Sequence, residues 1–219
     1  MIAHTIRPVG DSAVLISLGD GIDPQVNRRV HALADLISSG PLTGLGECVP
    51  SYTGLLLHYD PLQIEYSTVH RLVQDFIHRL PEVIAWNPRV MEIPVVYGGE
   101  YGPDLAFVAE HAGLSPREVI RLHVAGVYPV YMMGFPPGFP YLGGLDPRLA
   151  APRLETPRKA VPAGSVGIAG EQTGVYPLES PGGWRIIGRT PLRLFDLSAE
   201  PPCLLAPGDE VHFTLLEAL

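Results

Sequence analysis

The sequence predicts an α+β protein in two parts: a small α+β domain over residues 1–85, then a β-rich barrel or compact sandwich over residues 89–219. Three features point there. Two strand pairs, each followed by a helix, fill the first part. A proline-bearing connection, PEVIAWNPRV, spans 81–90. The tract from Gly134 to Thr190 then holds eleven glycines and nine prolines, interleaved with aromatic and β-branched residues. A disordered linker lacks such apolar side chains. The interleaving therefore favours short strands joined by tight turns.

In chain order, residues 2–9 and 12–18 read as two strands around a Gly10-Asp11 turn. Asp23-Pro24 starts a helix, with Asp as cap and Pro at the first position. Val26, Val30, Leu33 and Ile37 recur at helical spacing, and Gly40-Pro41 is the expected stop. Residues 44–50 and 53–59 form a second strand pair, in which Leu55, Leu56 and Leu57 suit a central strand. Ser67 or Thr68 caps a second helix with Val69, Leu72, Val73, Phe76, Ile77 and Leu80 on one face, ended by Pro81.

After the connection, VMEIPVVYGG reads as a strand, and Pro94 suggests an edge or a bulge. Pro103 opens a short helix closed by Gly113. Ser115-Pro116-Arg117-Glu118 is a capping box with proline at the first helical position. VYPVYMM leads as a strand into the glycine-proline tract. Beyond it, LRLFDL and DEVHFTLL alternate as two strands.

The chain has 219 residues, 46% of them hydrophobic, and a formal net charge of −8. An acidic chain is a poor nucleic-acid ligand, since phosphate binding needs a basic face. The charge is uneven. Residues 134–190 carry six cations against four carboxylates, which favours a small anionic ligand or an acidic partner patch there. Cys48 and Cys203 form no metal-ligand spacing, and no apolar leader opens the sequence. The expectation is a cytoplasmic protein with free thiols.

No phosphate loop, GxGxxG or HExxH occurs. Gly164, Gly167 and Gly170 form GxxGxxG, but no helical pattern follows to supply a phosphate-binding N-terminus. Ser165 lies in AGSVG, which lacks the helix a nucleophile elbow needs. His123 sits near the core face of its helix and reads as packed. Arg158 and Arg189 are better candidates, since guanidinium matches carboxylate or phosphate in bidentate fashion. Gln172 and Tyr176 add orienting groups. The competing reading is that these arginines brace carbonyls or sit in solvent. Phe135, Phe139 and Tyr141, set among prolines, are candidates for a partner surface, with ordinary core as the alternative. No metal site is expected, and no catalytic residue can be singled out.

GFPPGFPYLGGL, PR-x-x-VPAGSVGIAG-x-QTG-x-YP and SPGGW-x-IIGRTP, with GDSA at 10–13 and IPVVYGGEYGPDL at 93–105, resemble the bacterial KipI-type proteins. These are also called the 5-oxoprolinase B subunit or allophanate hydrolase subunit 1. The resemblance runs across nearly the whole chain and is weakest over the first 90 residues. It implies a C-terminal cyclophilin-like β-barrel and ATP-dependent cleavage of 5-oxoproline to glutamate. It also implies two partners, a KipA-type protein (the C subunit) and a LamB/YcsF-type protein (the A subunit). ATP would be used by the complex, with no cofactor tightly bound in this chain. The alternatives it carries are inhibition of a sensor histidine kinase, or part of an allophanate/urea amidolyase-type carboxyltransferase or hydrolase.

Overall fold

The computed structural model describes residues 3–21, 23–40, 42–81, 84–85 and 87–217. Pro41 of the expected helix stop and part of the 81–90 connection lie outside the described residues; the helix itself ends at Ser38, two residues before Gly40. The chain divides into two compact units, Met1–Asn87 and Pro88–Leu219.

The first unit is an antiparallel sheet with two helices. Its strands are β1 (Thr5–Val9), β2 (Ala13–Ser17), β3 (Leu45–Pro50) and β4 (Gly54–Tyr59), in the order β1-β2-β4-β3. Gly10 turns β1 into β2 at φ 64°, a conformation glycine adopts without strain. Period-two alternation sends Val14, Ile16, Leu55 and Leu57 into the core and leaves Leu15 outside. Helix α1 (Pro24–Ser38) buries Val30, Leu33 and Ile37, and α2 (Tyr66–Arg79) buries Val69, Val73, Phe76 and Ile77. Each fully buried aliphatic side chain contributes about 1.5–3 kcal/mol. Asp23 caps α1 by accepting from the N–H groups of Gln25 and Val26. Asn27, buried in α1, donates from Nδ2 to the carbonyls of Ser51 and Tyr52, tying the helix to the β3–β4 turn. Helix α2 departs from expectation. It begins two residues before Thr68, at Tyr66, and its cap position, Glu65, makes no side-chain capping bond. Packing of the apolar face, not a cap, fixes that start.

The second unit is a closed barrel. Its strands include β5 (Val90–Tyr97), β6 (Tyr128–Gly134), β7 (Phe139–Leu142), β8 (Arg158–Val161), β9 (Ser165–Ala169), β10 (Gln172–Val175), β11 (Ser180–Gly182), β12 (Arg185–Arg189) and β13 (Glu210–Leu215). The barrel runs β10-β7-β6-β13-β5-β12-β9, with β9 closing on β10, and β8 and β11 form a separate ribbon. Only the β5–β13 pair is parallel. Pro94 faces Thr214 on β13, while β12 pairs with β5 only from Val96 onward. Proline thus occupies a stretch with one neighbour, where its missing N–H is tolerated. Inside lie Ile93, Val95, Leu142, Ile168, Ile187, Val211 and Phe213. Helices α3 (Leu105–Ala112) and α4 (Pro116–Val124) complete the unit.

One predicted strand is absent. LRLFDL contributes only an isolated bridge, Phe195 to Cys203. Leu194 is buried, but its carbonyl accepts from Leu204 across a loop, and Asp196 turns its carboxylate onto Ser198. Alternation there marks a loop dipping into the core, not a ladder. The α+β class with a C-terminal barrel is the one observed.

Candidate functional site

Two cavities in the second unit hold five of the seven predicted residues, all but Arg158 and Gln172. The smaller, about 240 Å³, has aromatic walls: Phe135, Phe139, Tyr141, Tyr176 and Trp184, with Arg153 beside them. Strand β7 supplies Phe139 and Tyr141 on one side, and the segment around β11 supplies the other. Phe139 is packed edge-on against Tyr176 and Trp184, at centroid distances of 5.2 and 5.3 Å. These contacts lock the walls. Gly174 is required by this packing, because a Cβ there would stand 2.9 Å from the Phe139 ring. Gly182 is required too, since its Cβ would meet the Tyr176 hydroxyl at 2.2 Å. Phe135 stands apart from this packing and is 83% exposed. Burial holds the Tyr176 phenol above its ordinary pKa. A backbone hydrogen bond from Trp184 and the nearby charges of Arg153 and Arg158 pull the other way.

The larger cavity, about 570 Å³, is lined by Arg189, Arg193, Tyr101, Thr190 and Phe195 among others. Its two cations are engaged. Arg189 donates from Nε to the Ala163 carbonyl at 2.9 Å, and Arg193 pairs with Asp196 at 2.8 Å.

The four residues read as substrate ligands therefore do not converge. Arg189 lies in one cavity and Tyr176 in the other. Arg158 is close enough to influence the Tyr176 hydroxyl, but its own guanidinium is held by the carboxylate of Asp104 at 2.9 Å. Asp104, nearly buried, also accepts from the Ile186 N–H at 2.6 Å. Gln172 opens β10 opposite Ala169 and lines neither cavity. The three residues read as a partner surface, Phe135, Phe139 and Tyr141, do share a wall. Sequence reasoning missed Arg153 and Asp104 as parts of this neighbourhood. The only available signal was the place of Asp104 in the IPVVYGGEYGPDL run and of Arg153 among the cations of the 134–190 tract.

Other candidates resolve structurally. His123 is fully buried, with Nδ1 2.8 Å from the Tyr97 hydroxyl and Nε2 3.0 Å from the Thr173 hydroxyl. Thr173 donates to the Gly167 carbonyl, so it accepts from Nε2–H, and Nδ1 accepts from Tyr97. The ring is neutral, and burial lowers its pKa to about 3. Ser165 is buried within β9, paired with Arg189 and with no helix after it. Among the described residues no three His, Cys, Asp or Glu side chains group to hold a metal, and no helix is long and apolar enough to cross a membrane. Cys48 and Cys203 are free thiols.

The family model for the carboxyltransferase domain, subdomain C and D, matches residues 4–205. Among curated relatives, the 5-oxoprolinase B subunit of Bacillus subtilis is 48% identical, covering 97% of this chain and 92% of that one. The protein of the same name from Escherichia coli O157:H7 is 43% identical over 94% and 93%. The chain belongs to the 5-oxoprolinase B-subunit family. Among solved structures, TTHA0988 is 41% identical with a TM-score of 0.83, covering 98% of this chain. This chain spans only 41% of the length of TTHA0988. The conserved uncharacterized protein PH0987 from Pyrococcus horikoshii is 52% identical, with a TM-score of 0.59 and coverage of 97% and 98%. The Kluyveromyces lactis urea amidolyase, at 21% identity and TM-score 0.79, shares the fold.

Proposed function

We propose that this chain is the B subunit of a cytoplasmic, ATP-dependent 5-oxoprolinase that opens 5-oxoproline to glutamate. Its partners in that reading are a KipA-type protein as the C subunit, with a LamB/YcsF-type protein as the A subunit. The observation that carries this reading is 48% identity to a 5-oxoprolinase B subunit over 97% of the chain. In the reaction, water oxygen adds to the lactam carbonyl carbon, the C–N bond breaks, and nitrogen leaves as the amine. Substrate and product are both carboxylates, so cationic side chains are needed to hold them. Of the residues read from the sequence as ligands, Tyr176 lines the aromatic cleft and Arg158 stands beside it, so these two are kept on the substrate side, whereas Arg189 and Gln172 lie away from it. Exposed Phe135 is kept for the partner contact, and buried Phe139, with Tyr141, belongs to the cleft wall. ATP is used by the complex and is not held tightly by this chain, which is inactive alone.

The test is genetic and chemical together. Cells lacking this chain should accumulate 5-oxoproline, and re-expression should clear it. Unchanged 5-oxoproline levels in those cells would contradict the assignment.

A further inference from the structure

We infer that the aromatic cleft, not the larger cavity, takes the ring of a small cyclic carboxylate, with Arg153 receiving its carboxylate. The ligand class rests on the 5-oxoprolinase reading; the choice of site and the role of Arg153 rest on the geometry.

The cleft measures about 240 Å³, below the ~300–1,000 Å³ typical of drug-sized ligands. A five-membered ring with one carboxylate suits that size. Its walls are π faces and edges fixed by mutual packing, which a flat ring can lie against without reordering them. The backbone at Gly182 and Gly183 lines one side with no side chain in the way.

Charge separates the two cavities. In the larger one, Arg189 is tied to the Ala163 carbonyl and Arg193 to Asp196. Beside the cleft, Arg158 is tied to Asp104, but on the cleft wall exposed Arg153 has no hydrogen-bond or ion-pair partner among the described residues. It stands close enough to the Tyr176 hydroxyl to favour negative charge there. A cation that has no internal partner, beside a rigid aromatic wall, is what a carboxylate-bearing ring requires.

Trp184 lines the cleft, so its fluorescence reports occupancy in the full chain carrying Trp86→Phe. Titration with 5-oxoproline should give a saturable change, and 2-pyrrolidinone, the same ring without the carboxylate, should bind far more weakly. Arg153→Ala should weaken binding about tenfold or more, as loss of one charge-assisted pair does. Arg153→Lys should restore part of it. Arg148→Ala, on an exposed arginine already paired with Asp146, serves as the control and should change nothing. No saturable change, or equal affinity in Arg153→Ala and the parent, overturns the inference. A loss seen in Arg189→Ala but not in Arg153→Ala also overturns it and moves the site to the larger cavity. A reconstituted complex whose KM for 5-oxoproline ignores Arg153→Ala sinks the cleft but leaves the proposed function standing. A cleft that binds cyclic carboxylates in a complex inert toward 5-oxoproline does the reverse.

Discussion

His123 carries two hydrogen bonds inside the barrel and no charge. Its folded pKa of about 3 lies below the ~6.5 of an unfolded histidine. Between those values the unfolded chain holds a proton that the folded chain does not. Stability contributed by the neutral ring is therefore full above pH ~6.5 and declines as pH falls toward 3, by up to about 1.4 kcal/mol per unit. Asp60, Glu118, Asp146 and Asp196 also have lowered values, but they add to this loss only near and below the ordinary carboxylate range. Urea midpoints of the barrel unit taken from pH 6.5 to 4.5 isolate the histidine, and a flat profile there would contradict the assignment. The two predicted arginines differ in the same concrete way. Arg158→Ala leaves the nearly buried Asp104 without its ion partner and should cost about 1–3 kcal/mol in a thermal melt. Arg189→Ala removes one bond at a half-exposed side chain and should stay within about 0.5–1.5 kcal/mol, the worth of an ordinary hydrogen bond. Equal losses from the two would mean that Asp104 does not need its partner. The sequence named both arginines, but it could not show that Arg158 meets a carboxylate 54 positions upstream.

Local chemistry decided which elements could be read directly. The Ser115 capping box is present in full: Glu118 N–H donates to the Ser115 hydroxyl, and the Ser115 N–H donates to the Glu118 carboxylate. Ser115→Ala should therefore lower stability by about 0.5–2 kcal/mol, measured by urea unfolding. A change under that range would mean α4 is held by packing alone. Two neighbouring elements were harder to read for the opposite reason. Asp104 stands at the cap position of α3 but makes no cap bond, because its carboxylate serves Arg158 and the Ile186 N–H. LRLFDL alternates like a strand, yet its neighbours are loop carbonyls. Alternation gives period, and only the partner strand makes a ladder. The aromatic cleft was half legible. Phe135, Phe139 and Tyr141 were singled out together, while Tyr176 and Trp184 reach them only because β10 pairs with β7 and the chain returns through β11.

Each of the two units has its own core, and the two clusters share no residue. The barrel unit is also stapled from within: Arg89, just before β5, forms an ion pair with Asp209 and donates to the Leu204 carbonyl. Limited proteolysis should cut first within 81–90 and leave two folded fragments, seen by mass and by retained circular dichroism. First cuts inside β5–β13, or fragments that unfold at once, would argue against two independently stable parts.

This chain, a KipA-type protein and a LamB/YcsF-type protein, purified and mixed with ATP and 5-oxoproline, should form glutamate. Leaving out any one of the three should abolish it. Glutamate formed at the full rate without this chain, or by this chain alone, would contradict the account.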